Sequence, residues 1–196
     1  MSDFHHTNVH EHHVTQRQNK MMLIAAVILI VGGLGTLIWM GLQLNEEPTT
    51  VFSEQAKAQQ GGTAVNFALD TLAGGSVALA DYKGEVVVMN FWATWCPPCR
   101  AEMPGLNRFY EAHEDEGLIV LAINAQESAE TVRPFIDTNG FTFPILLDLE
   151  GQVAQQYSTR SFPTTFIIDR TGTIQHVQTG EISEEELEAI VLPLLQ

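Results

Sequence analysis

Two cysteines separated by two prolines are the residues whose type and spacing best suit them to chemistry. Cys96 and Cys99 are the only cysteines among 196 residues. The thiolate is the attacking species in disulfide exchange, and a helix N-terminus favours it through unpaired amides and the helix dipole. Because Cys99 follows three positions later, it lies within reach to resolve a mixed disulfide formed at Cys96. The spacing therefore predicts thiol–disulfide chemistry.

Three other roles for this pair fit the sequence less well. A purely structural disulfide across a two-residue spacer closes too small a loop to constrain much of the chain. A structural zinc site needs four ligands, and only His113 and His176 remain in the predicted folded domain. Unpaired thiols of the core are also not expected, because the sequence Trp95-Cys-Pro-Pro-Cys at a predicted strand–helix junction does not resemble core sequence. We therefore predict a redox-active pair with no metal and no cofactor.

The pair stands where a buried strand is predicted to pass into a helix. The continuous apolar run Val86–Phe91 is typical of a central strand, and the helix is predicted over Pro97–His113. Strands that alternate with helices before a closing hairpin and helix indicate an α/β fold with a mixed sheet. The other predicted elements are strands Val65–Leu69 and Ser76–Leu79 (an N-terminal hairpin), Leu118–Asn124, Ile145–Leu147, Thr164–Asp169 and Thr173–Thr179, and helices Ala129–Asn139, Gln152–Tyr157 and Ser183–Leu195.

An uncharged apolar segment precedes this domain. Residues 21–44 contain no charged side chain, and as a helix they exceed the roughly 30 Å hydrocarbon core of a bilayer. The run is longer than the apolar core of a cleaved signal, so we expect a transmembrane anchor. The predicted organisation is a histidine-rich tail over 1–20, the anchor over 21–44, a linker over 45–62 and an α/β domain over 63–196.

The charges that flank the anchor predict its orientation. Arg17 and Lys20 precede it, whereas Glu46 and Glu47 follow it, so the tail is expected in the cytoplasm and the domain outside the cell membrane. Disulfides persist in such an oxidising compartment. The formal net charge of −15 argues against a nucleic-acid partner. The tail histidines fit either a metal-binding segment or a polar tail; they are His5, His6, His10, His12 and His13.

Five segments of the predicted domain carry a family resemblance. They occur in order along nearly all of the exported part of the chain, and the longest surrounds the cysteine pair. In this pattern the chain resembles the membrane-anchored thioredoxin-like proteins of the ResA/TlpA type. The segments are Asn90–Pro104, Leu121–Asn124, Phe143–Asp148, Phe162–Asp169 and Thr179–Gly180.

The resemblance implies a thioredoxin fold with a redox centre at its surface. Cys96 would be the exposed nucleophile and Cys99 the resolving thiol, beside a cis-proline at Pro163 that helps receive the substrate chain. The implied substrate-binding residues are Trp95, Pro97, Phe162 and Pro163.

Glu102 matches a carboxylate that members of this family place near the cysteines. On the predicted helix it lies three positions after Cys99 and shares its face. A carboxylate there would raise a neighbouring thiol pKa and could relay a proton. Thioredoxin itself has a buried acidic residue at the position of Asn90, whose amide cannot exchange a proton, so Glu102 is the better catalytic candidate. An ordinary charged residue of the first helical turn is the alternative.

The two prolines between the cysteines indicate a direction of electron flow. Neither has a backbone N–H, so two candidate donors to a Cys96 thiolate are absent. This predicts a stable disulfide and a reducing couple. Together with the resemblance, it implies a reductase of disulfides in exported proteins, apocytochrome c among them, that is recharged by a membrane thiol donor. A thiol peroxidase, a net disulfide oxidase and a non-redox metal-delivery or binding module stay open as alternatives.

Overall fold

The computed structural model describes residues 58–196 and the single residue Met22. The predicted tail over 1–20, most of the anchor over 21–44 and most of the linker over 45–62 lie outside the described residues. Within the described part, no helix has the length and apolar character needed to cross a bilayer.

A seven-stranded mixed sheet forms the centre of the domain, in the order β2-β1-β5-β4-β3-β6-β7. The three central strands β5, β4 and β3 run parallel, and the outer strands pair antiparallel. The predicted α/β fold with a mixed sheet is confirmed. The strands are β1 Ala68–Thr71, β2 Ser76–Ala78, β3 Val86–Trp92, β4 Leu118–Ala125, β5 Ile145–Asp148, β6 Thr164–Ile168 and β7 Ile174–Thr179; the helices are α1 Pro97–His113, α2 Ala129–Asn139, α3 Gln152–Gln156 and α4 Glu184–Leu195.

The N-terminal hairpin is present, but its first strand begins later than the predicted Val65. Strand β1 starts at Ala68 and pairs with both β2 and β5. The preceding residues make other contacts, since the carbonyl of Val65 accepts a hydrogen bond from the Tyr157 hydroxyl at 2.7 Å. The chain before residue 63 also packs on the domain: Ala58 is buried, and the Gly61 N–H donates to the Ile174 carbonyl.

Two hydrophobic cores lie on opposite faces of the sheet. One contains apolar side chains of α1, α2 and α4 with alternate residues of the central strands, such as Val88 and Trp92 of β3. The other contains the intervening residues, such as Met89 and Phe91, packed against α3 and the N-terminal segment. Burial on both faces explains why β3 is a continuous apolar run, interrupted only by Asn90.

Strand register brings three loops to one edge of the sheet. In the parallel pair, Trp92 at the end of β3 lies beside Asn124 near the end of β4. In the antiparallel pair, Phe91 lies beside Thr164 at the start of β6. The cysteine loop after β3 therefore has the β4–α2 loop on one side and the segment ending at Pro163 on the other.

Candidate active site

Cys96 and Cys99 form a disulfide at the N-terminus of α1. The S–S distance is 2.06 Å and the Cα atoms lie 5.3 Å apart. Cys96 is the N-cap residue with an extended backbone, and Pro97 and Pro98 occupy the first two helical positions. The Cys96 Sγ accepts one backbone hydrogen bond, from the Cys99 N–H at 3.3 Å. The Cys96 sulfur therefore has a single backbone N–H donor, whereas a helix without these prolines would present more N–H groups at its first turn.

The expectation of an exposed Cys96 is wrong for this disulfide state. Cys96 is only 2% exposed and Cys99 is fully buried. The reason is that the Cys96 sulfur is bonded to Cys99, which is buried in the first turn of α1. The surface over the pair consists instead of its neighbours, since Pro97 and Pro98 are both exposed.

Apolar side chains predicted to bind substrate lie around the disulfide. Trp95 is 66% exposed, one of the few large apolar side chains at the surface of the described part of the chain, and makes an edge contact with Phe162 at 6.1 Å between ring centroids. The Phe162–Pro163 peptide bond is cis, as the resemblance implies. The Gly180 N–H donates to the Pro163 carbonyl at 2.9 Å and ties this segment to the end of β7.

Glu102 is a buried carboxyl group on the inner side of α1. It is 4% exposed and accepts hydrogen bonds from the Asn90 side-chain amide at 2.7 Å and the Ile182 N–H at 2.9 Å. Burial raises its pKa to about 7, although both hydrogen bonds oppose the shift and Glu181 adds to it. Within the described residues it makes no hydrogen bond with either sulfur. Glu102 is thus not an exposed first-turn charge, and its catalytic role stays a prediction.

Asn90 links β3 to both α1 and β6. Its Nδ2 donates to Glu102 and also to the Thr165 hydroxyl at 2.9 Å. Its Oδ1 is buried and has no hydrogen-bond partner in the described part of the chain. A protonated Glu102 could donate to an oxygen at this position only after the Asn90 amide turned over. The Asn90 side-chain amide is therefore oriented as a donor to Glu102, which suits the ionised form of that carboxyl group.

Substituting Glu102 by glutamine is expected to reduce the pH dependence of folding stability. The folded-state pKa of about 7 exceeds the ordinary 4.5, so the folded protein binds this proton more tightly than the unfolded chain. Its stabilising contribution is complete below pH 4.5 and is lost as pH rises through about 7. The wild-type unfolding free energy should therefore fall by about 1–3 kcal/mol relative to Glu102→Gln between pH 5 and pH 8. Urea unfolding of both proteins at the two pH values measures this; parallel pH profiles would contradict it.

The β4–α2 loop contributes a residue that sequence reasoning missed. Glu127, half-buried, accepts hydrogen bonds from the N–H and the hydroxyl of Thr94, two residues before Cys96. Asn124 donates to the same carboxylate. The parallel pairing of β3 with β4 was the available signal, because it makes the loops that follow these strands neighbours.

Comparisons with known proteins agree with this geometry. The profile of the AhpC/TSA family matches residues 60–177. The chain is 35% identical to the thiol-disulfide oxidoreductase ResA of Geobacillus kaustophilus, over 88% of this chain and 94% of that protein. It is 42% identical to the thioredoxin-like protein YneN of Bacillus subtilis, over 71% of this chain and 82% of that protein.

A solved structure assigned to the thiol:disulfide interchange protein DsbE of Chlorobium tepidum is also similar. It superposes with a TM-score of 0.67 and 32% identity, over 70% of this chain and 99% of that one. Residues 60–177, which the family profile matches, include the central strands, the disulfide and the segment around Pro163. The chain belongs to the AhpC/TSA family and is a thiol–disulfide oxidoreductase of the ResA and DsbE type.

Proposed function

We propose that the chain is a membrane-anchored reductase that acts on disulfides of exported proteins outside the cytoplasm. The uncharged segment 21–44, with Arg17 and Lys20 before it and Glu46 and Glu47 after it, supports the anchor and its orientation. Similarity to ResA proteins supports the exchange chemistry. From the family resemblance, we propose cysteines of apocytochrome c as clients.

The single amide donor at the Cys96 sulfur carries the reducing assignment. A thiolate at a helix N-terminus is stabilised mainly by nearby backbone N–H groups and by the dipole. Here the amide of Cys99 is the donor, and the two intervening residues are prolines without an N–H. A less stabilised thiolate makes the disulfide the favoured product of exchange, so electrons flow from this pair to the client.

The proposed reaction proceeds by two exchange steps. The Cys96 thiolate attacks one sulfur of the client disulfide; a Cys96–client S–S bond forms, the client S–S bond breaks, and one client sulfur leaves as a thiolate. The Cys99 thiolate then attacks the Cys96 Sγ and releases the second client thiolate. Both client sulfurs take up protons from solvent. The client gains two electrons and two protons, and the Cys96–Cys99 disulfide forms.

Each turnover needs a dithiol donor that reduces the Cys96–Cys99 disulfide again. We propose a membrane protein whose own two thiols become a disulfide in this step, because the anchor holds the domain near the bilayer. The exposed Trp95 and its neighbour Phe162 would serve as the apolar contact surface for client and donor in turn. Pro97, which is exposed and next to Cys96 in the chain, would contribute to the same contact.

Alternative functions predict different redox behaviour. A net oxidase would hold the cysteines as a disulfide in intact cells, whereas a reductase would hold them mostly as thiols. A peroxidase would consume peroxide at the expense of a thiol. A metal-delivery module needs ligands, and across residues 58–196 no group of three or more His, Cys, Asp or Glu is arranged to hold a metal ion.

The Cys99→Ser variant tests the proposed function directly. Without the resolving thiol, the attack by Cys96 should stop at the mixed disulfide, because no second thiolate can release the client. We expect covalent complexes on non-reducing gels of membrane extracts, with exported cysteine proteins identified by mass spectrometry. Alkylation trapping of the wild type should show mostly free thiols.

The double variant Cys96→Ser/Cys99→Ser is the matched control, since it keeps the surface but lacks the attacking sulfur. Complexes that persist in the double variant would be non-covalent or adventitious. A mostly oxidised wild-type pair, or trapped proteins confined to the cytoplasm, would contradict the proposal.

A further inference from the structure

A carboxylate outside the cysteine helix holds the loop that leads to Cys96. Thr94 donates to Glu127 twice, through its N–H at 2.7 Å and its hydroxyl at 2.5 Å. The side-chain amide of Asn124 donates to the same carboxylate at 2.8 Å. Two of these hydrogen bonds connect the β4–α2 loop to the residue two before the attacking sulfur, and the third connects the loop to the end of β4.

The backbone next to Glu127 adopts a conformation that needs a reason. Gln126 has φ +59°, the left-handed region, which is costly for residues with a Cβ atom. Its N–H donates to the Asp148 carbonyl at 3.0 Å, which fixes this turn against the end of β5. The turn directs the next side chain back toward the β3–α1 loop. Backbone strain at Gln126, directly beside a carboxylate that accepts three hydrogen bonds, is typical of a functional position.

We propose that Glu127 is a positioning residue for the exchange reaction and also makes the couple more reducing. The Cys96 N–H donates to the Ala93 carbonyl at 3.2 Å and closes a tight turn over residues 93–96. By fixing Thr94, Glu127 fixes this turn and with it the placement of Trp95 and Cys96. Its carboxylate is hydrogen-bonded to Thr94, two residues before Cys96, and a negative charge held on this loop opposes formation of the thiolate. This second effect rests on the reducing role proposed above, whereas the positioning effect does not.

Other charged groups near the same edge of the sheet must be kept constant in a test. They lie on α1, on the loop before β6 and after β7. Substitutions confined to the β4–α2 loop leave all of them in place. The charged groups to be kept constant are Arg100, Glu102, Arg160 and Glu181.

Two substitutions at position 127 separate charge from positioning. Glu127→Gln keeps an oxygen that accepts from the Thr94 N–H and removes the charge; Glu127→Ala removes both. For Glu127→Gln we expect a lower Cys96 thiol pKa and a redox equilibrium with glutathione shifted about threefold toward the dithiol, with kcat/KM nearly unchanged. For Glu127→Ala we expect the same redox shift and about a tenfold loss of kcat/KM on a disulfide peptide.

Thr94→Val and Glu130→Gln complete the design. Thr94→Val removes the hydroxyl donor and keeps the charge, so kcat/KM should fall without the redox shift. Glu130→Gln removes an exposed carboxylate of the first turn of α2, which bonds Ser128, and should change neither quantity. An unchanged thiol pKa and redox equilibrium in Glu127→Gln would refute the charge effect. Full kcat/KM in both Glu127→Ala and Thr94→Val would refute positioning.

These measurements use the reduced and oxidised protein itself and a synthetic peptide. They can succeed even if the trapped clients turn out to be other than exported proteins. Conversely, client trapping by Cys99→Ser can succeed while Glu127→Gln leaves the redox equilibrium unchanged. The two proposals therefore fail independently.

Discussion

The Cys96→Ser variant is expected to lose disulfide reduction almost completely. A serine hydroxyl does not ionise near neutral pH, so no attacking anion remains at the N-cap, and Cys99 lies within the first turn of α1 rather than at its end. We expect a loss of at least about 10³-fold in kcat/KM for the dithiothreitol-driven reduction of insulin, in line with nucleophile removal in other enzymes. The measurement is the rate of insulin precipitation.

The reduced wild type and Cys99→Ser are the appropriate controls for this variant. Both lack the Cys96–Cys99 bond, so a difference in unfolding free energy between them and Cys96→Ser would expose a folding defect. Cys99→Ser should still show one round of attack, seen as a burst of mixed disulfide with the peptide. Turnover by Cys96→Ser above one-tenth of the wild-type rate would show that Cys96 is not the attacking group.

The elements that carry the cysteines were predictable because local chemistry defines them. Helix α1 runs over Pro97–His113 as predicted, since an N-cap cysteine followed by two prolines sets its start. Helix α4 ends at Leu195 as predicted, and a capping box in which Ser183 and Glu186 are bonded to each other sets its start. Strand β1 was misplaced by three residues because a short strand of a mixed sheet is defined by its partners rather than by its own pattern.

The site was predictable only as far as the motifs reach along the chain. Cys96, Cys99 and Glu102 lie within one helical segment, and spacing alone puts them together. The groups that hold Glu102 and its neighbour Asn90 are distant in sequence: Ile182 is 80 residues from Glu102, and Thr165 is 75 from Asn90. Such pairings follow from strand order and loop paths, which no local pattern encodes.

The buried state of Cys96 illustrates a different reason for failure. The family resemblance implied an exposed nucleophile, yet in the disulfide form Cys96 is buried and its sulfur is bonded to the buried Cys99. The implied exposure concerns the thiol form, whereas the structure contains the disulfide form.

Substituting Pro98 by alanine is expected to make the couple markedly more oxidising. An N-cap side chain accepts from the N–H of the second or third helical residue. Here the third, Cys99, already donates to the Cys96 Sγ, while the second is Pro98 and has no N–H. Alanine adds that donor and stabilises the thiolate. We expect the reduction potential to rise by about 30 mV, a tenfold change in the redox equilibrium, measured against glutathione.

Pro97→Ala distinguishes a hydrogen bond to sulfur from a general loosening of the first turn. Residue 97 is the first helical position, whose N–H does not reach the N-cap side chain, so this variant should shift the potential much less. Pro104→Ala, in the same helix but a turn beyond Cys99, should not shift it at all. Effects of these substitutions on the unfolded chain cancel, because both redox forms share them. Equal shifts for positions 97 and 98 would mean that helix flexibility, and not the number of donors at Cys96, sets the reducing power of the pair.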